Sequence, residues 1–199
     1  IRQFRQDVGR DNCIYIHLTL VPFIGAAGEL KTKPTHHSVR DLRSIGIQPD
    51  ILLCRTDPFL DADIKRKIAL FCDVNEEAVI TAKDVDTIYE VPLVLKTEGL
   101  DQIVLKQLGL PLTQARTAAW EELVDRIKHP ADEITIHVVG KYTGYEDSYK
   151  SLNEAVYHGG FANRLKARLN WVEAEALERE SGISLLEGAH GILVPGGFG

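Results

Sequence analysis

Apolar positions along this chain fall into short dense runs separated by longer amphipathic stretches. Residues 12–21 (NCIYIHLTLV) are rich in β-branched and aromatic side chains and read as a buried strand, broken by Pro22 and the glycines at 25 and 28. Residues 50–54 and 78–81 predict two further short buried strands. Between them lies KTKPTHHSVRDLRSIG, a helical pattern with Pro34 near its start and Gly46 just past its end. Residues 61–71 predict a second helix, with acids in its first turn. Helical patterns follow at 88–98 and 100–108, with Gly99 between them, and residues 1–10 read as the end of a helix.

The pattern changes after Leu110. Residues 111–119 (PLTQARTAA) are short of large apolar groups and read as a connector; a helix at 119–128 then stops before Pro130. A fresh series begins beyond it: strand 133–139, helix 147–158, strand 166–172, short helix 181–187 and strand 191–194. Strands alternating with helices predict α/β architecture built on parallel sheets, in two parts with a boundary near 111–131.

Composition narrows this only slightly. With 44% hydrophobic and 26% charged residues, 199 residues can bury a core without a disulfide or metal. The net charge of −6 argues against a general nucleic-acid partner, yet leaves room for a nucleotide held by two or three local cations. No apolar stretch is long enough to span a membrane, and no signal peptide is present. Three cysteines, none in a CxxC pair, read as reduced, partly buried core thiols, which points to the cytoplasm. The chain contains no methionine, opens in mid-pattern and stops on LVPGGFG, so it is expected to be an interior fragment.

The sharpest chemical feature is Lys31-Thr32-Lys33-Pro34-Thr35-His36-His37-Ser38. Two lysines precede a helix whose first turn offers free backbone N–H groups and the Thr35 and Ser38 hydroxyls, a ready anion site. An ammonium within ~4 Å of a phosphate gains about 4 kcal/mol before desolvation at a near-surface dielectric. A solvated loop ahead of a capped helix is the plainer reading of the same residues. Neighbouring side chains diverge, and no Cys, Asp or Glu stands at ligand spacing, so His36-His37 is not expected to hold a metal. Arg55 ends a predicted strand, where ligands gather in open α/β sheets. The GKYTGYEDSYKS segment follows a strand and opens a helix but lacks P-loop spacing. LVPGGFG is a buried strand running into a turn whose backbone N–H groups no side chain covers, or a simple strand-end turn.

KTKPTHHSVRDLRSIGIQPDILLCR, KIALFC, KDVDTIY, HVVGKYTGYEDSYKS and LVPGGFG, in this order, resemble the CTP synthase family over essentially the whole chain. The resemblance implies the C-terminal part of a P-loop-related synthetase domain (1–110), an interdomain linker with a helix (111–131) and the N-terminal part of a class I glutamine amidotransferase domain with a Rossmann-like fold (132–199). It implies ATP-dependent amination of UTP to CTP with ammonia from L-glutamine. Lys31, Thr32, Lys33, Pro34, Thr35, His36 and Lys67 fall on the segments that bind UTP and the inhibitor CTP. Lys83, Asp84 and Val85 fall on the adenine segment of ATP, with Arg55 as a further ATP-site candidate. Tyr142 and Lys150 fall near the site where GTP activates glutamine hydrolysis, and Gly196 falls on the glutamine-binding, oxyanion-hole turn. Mg2+ ligands, P-loop and nucleophile are implied to lie outside this chain, so no catalytic residue is assigned within it. The family assembles as homotetramers. One position departs: His36 stands where the family commonly has glutamine, which exposes that contact to pH. Two other readings stand beside this one: a nucleotide-binding or assembly module without turnover, and a different class I amidotransferase, against which KTKPT and KIALFC argue.

Overall fold

The computed structural model describes residues 1–141 and 146–196 and divides into two compact units, Ile1–Thr117 and Ala118–Gly199. Both are α/β, and each is built on a three-stranded parallel sheet.

The first unit opens with a short helix, α1 (Phe4–Val8), and strand β1 (Ile16–Leu20). A small antiparallel hairpin follows, β2 (Phe23–Ile24) with β3 (Glu29–Leu30). Then come α2 (Lys33–Ser44), β4 (Ile51–Thr56), α3 (Ala62–Cys72), β5 (Val79–Lys83), α4 (Val91–Thr97) and α5 (Leu100–Gln107). The sheet order is β1-β4-β5, all parallel. Helix α2 carries Pro34 in its first turn, and the chain leaves it through Gly46 at φ 84°, a left-handed conformation that a side chain would strain. Helix α3 is capped by Asp61, whose carboxylate accepts from the backbone N–H of Ile64 at 2.8 Å.

Side-chain parity sorts the sheet into two faces. Leu52, Cys54 and Val79 pack with Val39 of α2 and Ile68, Ala69 and Cys72 of α3. Ile51 and Ile80 pack on the other side against Leu95 of α4 and Leu100, Ile103 and Val104 of α5. The result is a three-layer sandwich around β4 and β5. Each fully buried Ile or Leu here contributes about 1.5–3 kcal/mol relative to exposure.

Strand β1 corrects the expectation of a buried strand. Helices α4 and α5 cover β4 and β5 but stop short of β1, so Ile16, Leu18 and Leu20 stand 44%, 62% and 52% exposed. Only the opposite parity faces inward: His17 bonds Ser38 of α2 through Nε2 at 2.8 Å, and Thr19 is buried against the same helix.

The second unit comprises α6 (Ala118–Lys128), β6 (Asp132–Gly140), α7 (Lys150–Ala162), β7 (Leu165–Glu173) and β8 (Gly191–Leu193). Sheet order is β7-β6-β8. Val138, Val139 and Val172 are buried on this sheet, and Val124 of α6 is buried as well. At Gly160 an added Cβ would fall 2.7 Å from the carbonyl oxygen of Leu165, so glycine lets α7 lie directly against β7. The helix expected over 119–128 belongs to this unit by its contacts with α7 and β7.

Candidate functional site: the carboxyl edge of the first sheet

In parallel α/β sheets ligands collect beyond the carboxyl ends of the strands. Backbone bonds draw three loops together there: Val21 N–H donates to the Arg55 carbonyl at 2.9 Å, Asp84 N–H to Thr56 at 2.8 Å, and Lys31 N–H to Pro22 at 3.0 Å. The hairpin thereby returns the chain from the end of β1 to the start of α2. Lys31, the α2 N-terminus, Arg55 and the Lys83–Val85 segment all lie at this one edge.

A cationic cluster forms on its α2–α3 side. The Lys31 ammonium pairs with the Glu29 carboxylate. That bond and the Lys31 charge, with Lys67 adding, hold the Glu29 carboxyl below the ordinary carboxylate range. His36 stacks on Phe71 of α3, ring centroids 4.7 Å apart and planes 25° from parallel. Its Nε2 is buried without a hydrogen-bond partner. Burial, then the charges of Lys67 and His37, push His36 below its usual pKa. Lys33 is exposed at the first helical position, and Thr32, at the N-cap, makes no side-chain capping bond. The first-turn hydroxyls, expected to face a ligand, are committed inward. Thr35 donates to the Leu20 carbonyl at 3.1 Å and accepts from Thr19 at 3.2 Å, while Ser38 bonds His17. Contact from Thr35 to a ligand would therefore come from its backbone.

A cavity of about 330 Å³ opens at the same sheet edge, on the side of α4. Its polar rim is Arg55, Lys83 and Asp84; its apolar wall comprises Leu18, Val85, Ile88, Val91, Val94 and Leu95. Arg55 Nε donates to Asp84 Oδ1 at 2.7 Å, and Lys83 Nζ donates to the Asp84 carbonyl at 3.0 Å. Arg55 and the Lys83–Val85 segment, both expected for ATP, thus line one pocket, at the lower end of the size range of small-molecule sites. Arg55 and Leu18 also border a second cavity of about 430 Å³ that reaches Pro34 and Ser38 of α2. Of the apolar wall the sequence reasoning found only Val85, and it missed Phe71. Val91, Val94 and Leu95 form a helical stripe that reads as core, and Phe71 lies one turn beyond Lys67.

Elsewhere the picture is plainer. Lys150 is exposed at the start of α7, and Tyr142 lies outside the described residues. Gly196 follows β8 on an exposed stretch where an added Cβ would meet nothing within 4 Å. Cys54 and Cys72 are buried and free, and burial pushes their thiols up to about 12 and about 11. Among the described residues no group of three or more His, Cys, Asp or Glu is placed to hold a metal ion. None of the described helices is long and apolar enough to cross a membrane.

Comparison with known proteins gives the family. The family described as CTP synthase N-terminus matches residues 1–110. Over its whole length the chain is 60% identical to a CTP synthase of Koribacter versatilis, 59% to one of Acidobacterium capsulatum and 58% to one of Syntrophus aciditrophicus. It spans 36% of the first two relatives and 37% of the third, a little over a third of their length. A family match over more than half of the chain, joined to identity of this order along all of it, establishes that the chain belongs to the CTP synthase family.

Proposed function

We propose that the first unit holds the pyrimidine and adenine nucleotides for the ATP-dependent amination of UTP to CTP, within a longer protein that draws ammonia from L-glutamine. The observation that carries this reading is the gathering of Arg55, Lys83, Asp84 and Val85 in one cavity, with a cluster of Lys31, His36 and Lys67, and Lys33 at the start of α2, at the same sheet edge. In this reading the ammonium groups and the open α2 N-terminus receive the triphosphate of UTP, or of CTP as inhibitor. The adenine of ATP enters the apolar cavity, its edge meeting the backbone of Lys83–Val85.

The chemistry asks that O4 of the uracil become a leaving group. O4 attacks the γ-phosphorus of ATP and ADP departs; ammonia then adds at C4, and the C4–O4 bond breaks with loss of phosphate. Residues of this chain bind and orient, and positioning dominates in phosphoryl transfer. In this reading the Mg2+ ligands lie elsewhere in the longer protein. In the same reading residues 1–110 end a synthetase domain, 111–131 connect, and 132–199 begin a glutaminase domain. Its Gly196 turn would donate backbone N–H groups to the tetrahedral intermediate, and Lys150 and Tyr142 would lie near a GTP effector. A cytoplasmic homotetramer is the corresponding assembly. As an isolated piece the chain would be a nucleotide-binding or assembly module without turnover, since the P-loop and the nucleophile are expected in the rest of the longer protein.

The test is Lys31→Ala in the full-length protein. The UTP requirement is expected to rise about tenfold or more, with inhibition by CTP weakened in parallel, as for loss of one charge-assisted contact. Kinetics showing neither effect would remove Lys31 from the site.

A further inference from the structure

The two nucleotide regions proposed above lie on different elements, and one ion pair joins those elements. Lys65 of α3 donates to Glu98 Oε2 at 2.6 Å, and the same oxygen accepts the backbone N–H of Thr81, in β5, at 2.7 Å. The Lys65 and Glu98 side chains are only 22% and 12% exposed. β5 is an edge strand of its sheet, so the Glu98 carboxylate satisfies a strand N–H that has no neighbouring strand to meet. Glu98 terminates α4, with its own N–H on the Val94 carbonyl at 3.0 Å. Burial alone would raise the Glu98 carboxyl; the bonds from Lys65 and the Thr81 N–H more than offset it and leave it below the ordinary range.

The consequence follows from what each element carries. Two residues beyond Lys65 is Lys67, and one turn after that Phe71, both beside His36. Two residues beyond Thr81 begins Lys83–Val85, and Val94 and Leu95 of α4 form the opposite wall of the cavity. We infer that Lys65 and Glu98 are a positioning pair that sets α3, with its cationic face, against the β5–α4 walls of the cavity, so that both nucleotides depend on it although neither side chain lines the cavity. The inference rests on the functional reading above.

The experiment uses the full-length protein with Lys65→Met, Glu98→Gln, the double variant and Lys65→Arg, measuring KM for ATP and for UTP, kcat and the thermal midpoint. Lys65→Met is expected to raise both KM values about three- to tenfold while kcat falls less than twofold. Glu98→Gln should do the same, the double variant should cost no more than either single change, and Lys65→Arg should restore values near those of the parent. If Lys65→Met and Glu98→Gln lower the thermal midpoint but leave both KM values unchanged, the pair is structural only and the inference fails. If Lys65→Met does not fold, Glu98→Gln, which keeps an acceptor for Thr81, decides between the same two outcomes alone. Failure of the functional reading shows separately, as a parent protein that neither binds ATP nor forms CTP from UTP.

Discussion

The two ends of the first sheet look alike as cavities and differ as chemistry. At the amino end a cavity of about 530 Å³ is lined by Gln48, Asp50, Arg66, Asp73, Asn75 and Gln107 among others, larger than the 330 Å³ pocket at the carboxyl end. Yet several polar groups at the amino end are committed to holding backbone in place. Asp50 accepts from the Tyr15 N–H at 2.7 Å and from Arg5 at 3.1 Å, and Gln48 donates to the carbonyls of Cys72 and Asp73. At the carboxyl end the pairs Lys31–Glu29 and Arg55–Asp84 are half-exposed and weak, Thr32 leaves its helix uncapped, and His36 Nε2 has no partner. In the proposed reading volume does not mark the site; polar groups whose present partners a ligand can replace at little cost do.

The contrast can be broken at either end. The largest expected effect is on stability, at Asp50. Asp50→Ala strands the Arg5 guanidinium and the Tyr15 N–H and should lower unfolding free energy by about 2–3 kcal/mol in urea, with nucleotide affinity unchanged. A loss of nucleotide affinity without a loss of stability would reverse the roles of the two ends.

Next in size is pH. His17 and His36 both titrate below the ordinary histidine value, each chiefly through burial. The unfolded chain therefore takes up protons at a higher pH than the folded unit. Stability is fully present above about pH 6.5 and declines as pH falls from there through the folded values. Urea midpoints across pH 5–7.5 should show this decline, and His17→Gln with His36→Gln should flatten it. An unchanged slope in the double variant would place the titration elsewhere.

Smaller effects sharpen the picture. Glu29→Gln frees Lys31 from an exposed partner, so UTP should bind about two- to threefold more tightly. Weaker binding would mean that Glu29 helps to hold the nucleotide. Smallest of all, Arg55→Gln should change stability by less than about 1 kcal/mol while still raising the ATP requirement, since Arg55–Asp84 is an exposed pair on the rim of the pocket.

Much of this was legible in the sequence, for local reasons. Pro34 and Gly46 bracket α2 because these residues act through their own backbone geometry, and the acids at the start of α3 act within a single turn. The runs that became β4 and β5 are covered on both faces and read as dense apolar segments. The run that became β1 looks the same, but its burial depends on how far α4 and α5 reach, which no local pattern encodes. The β2–β3 hairpin escaped notice because two residues per strand leave no periodicity to detect. At the candidate site, Lys31 and Arg55 were visible as charged residues beside a helix start and a strand end, whereas Lys83–Val85 stood out only through the family resemblance. That Arg55 and Lys83–Val85 share one cavity, that Leu18 and Val91–Leu95 wall it, and that the Thr35 hydroxyl points into the sheet are consequences of tertiary packing.

Hydrogen exchange of the full-length protein, alone and with UTP or ATP, tests most directly which end of the first sheet receives nucleotide. UTP should protect backbone amides at residues 31–38 and 66–71, and ATP those at 82–88, while 47–50 and 73–75 exchange as before. Protection confined to 47–50 and 73–75, with the carboxyl edge unchanged, would contradict the account.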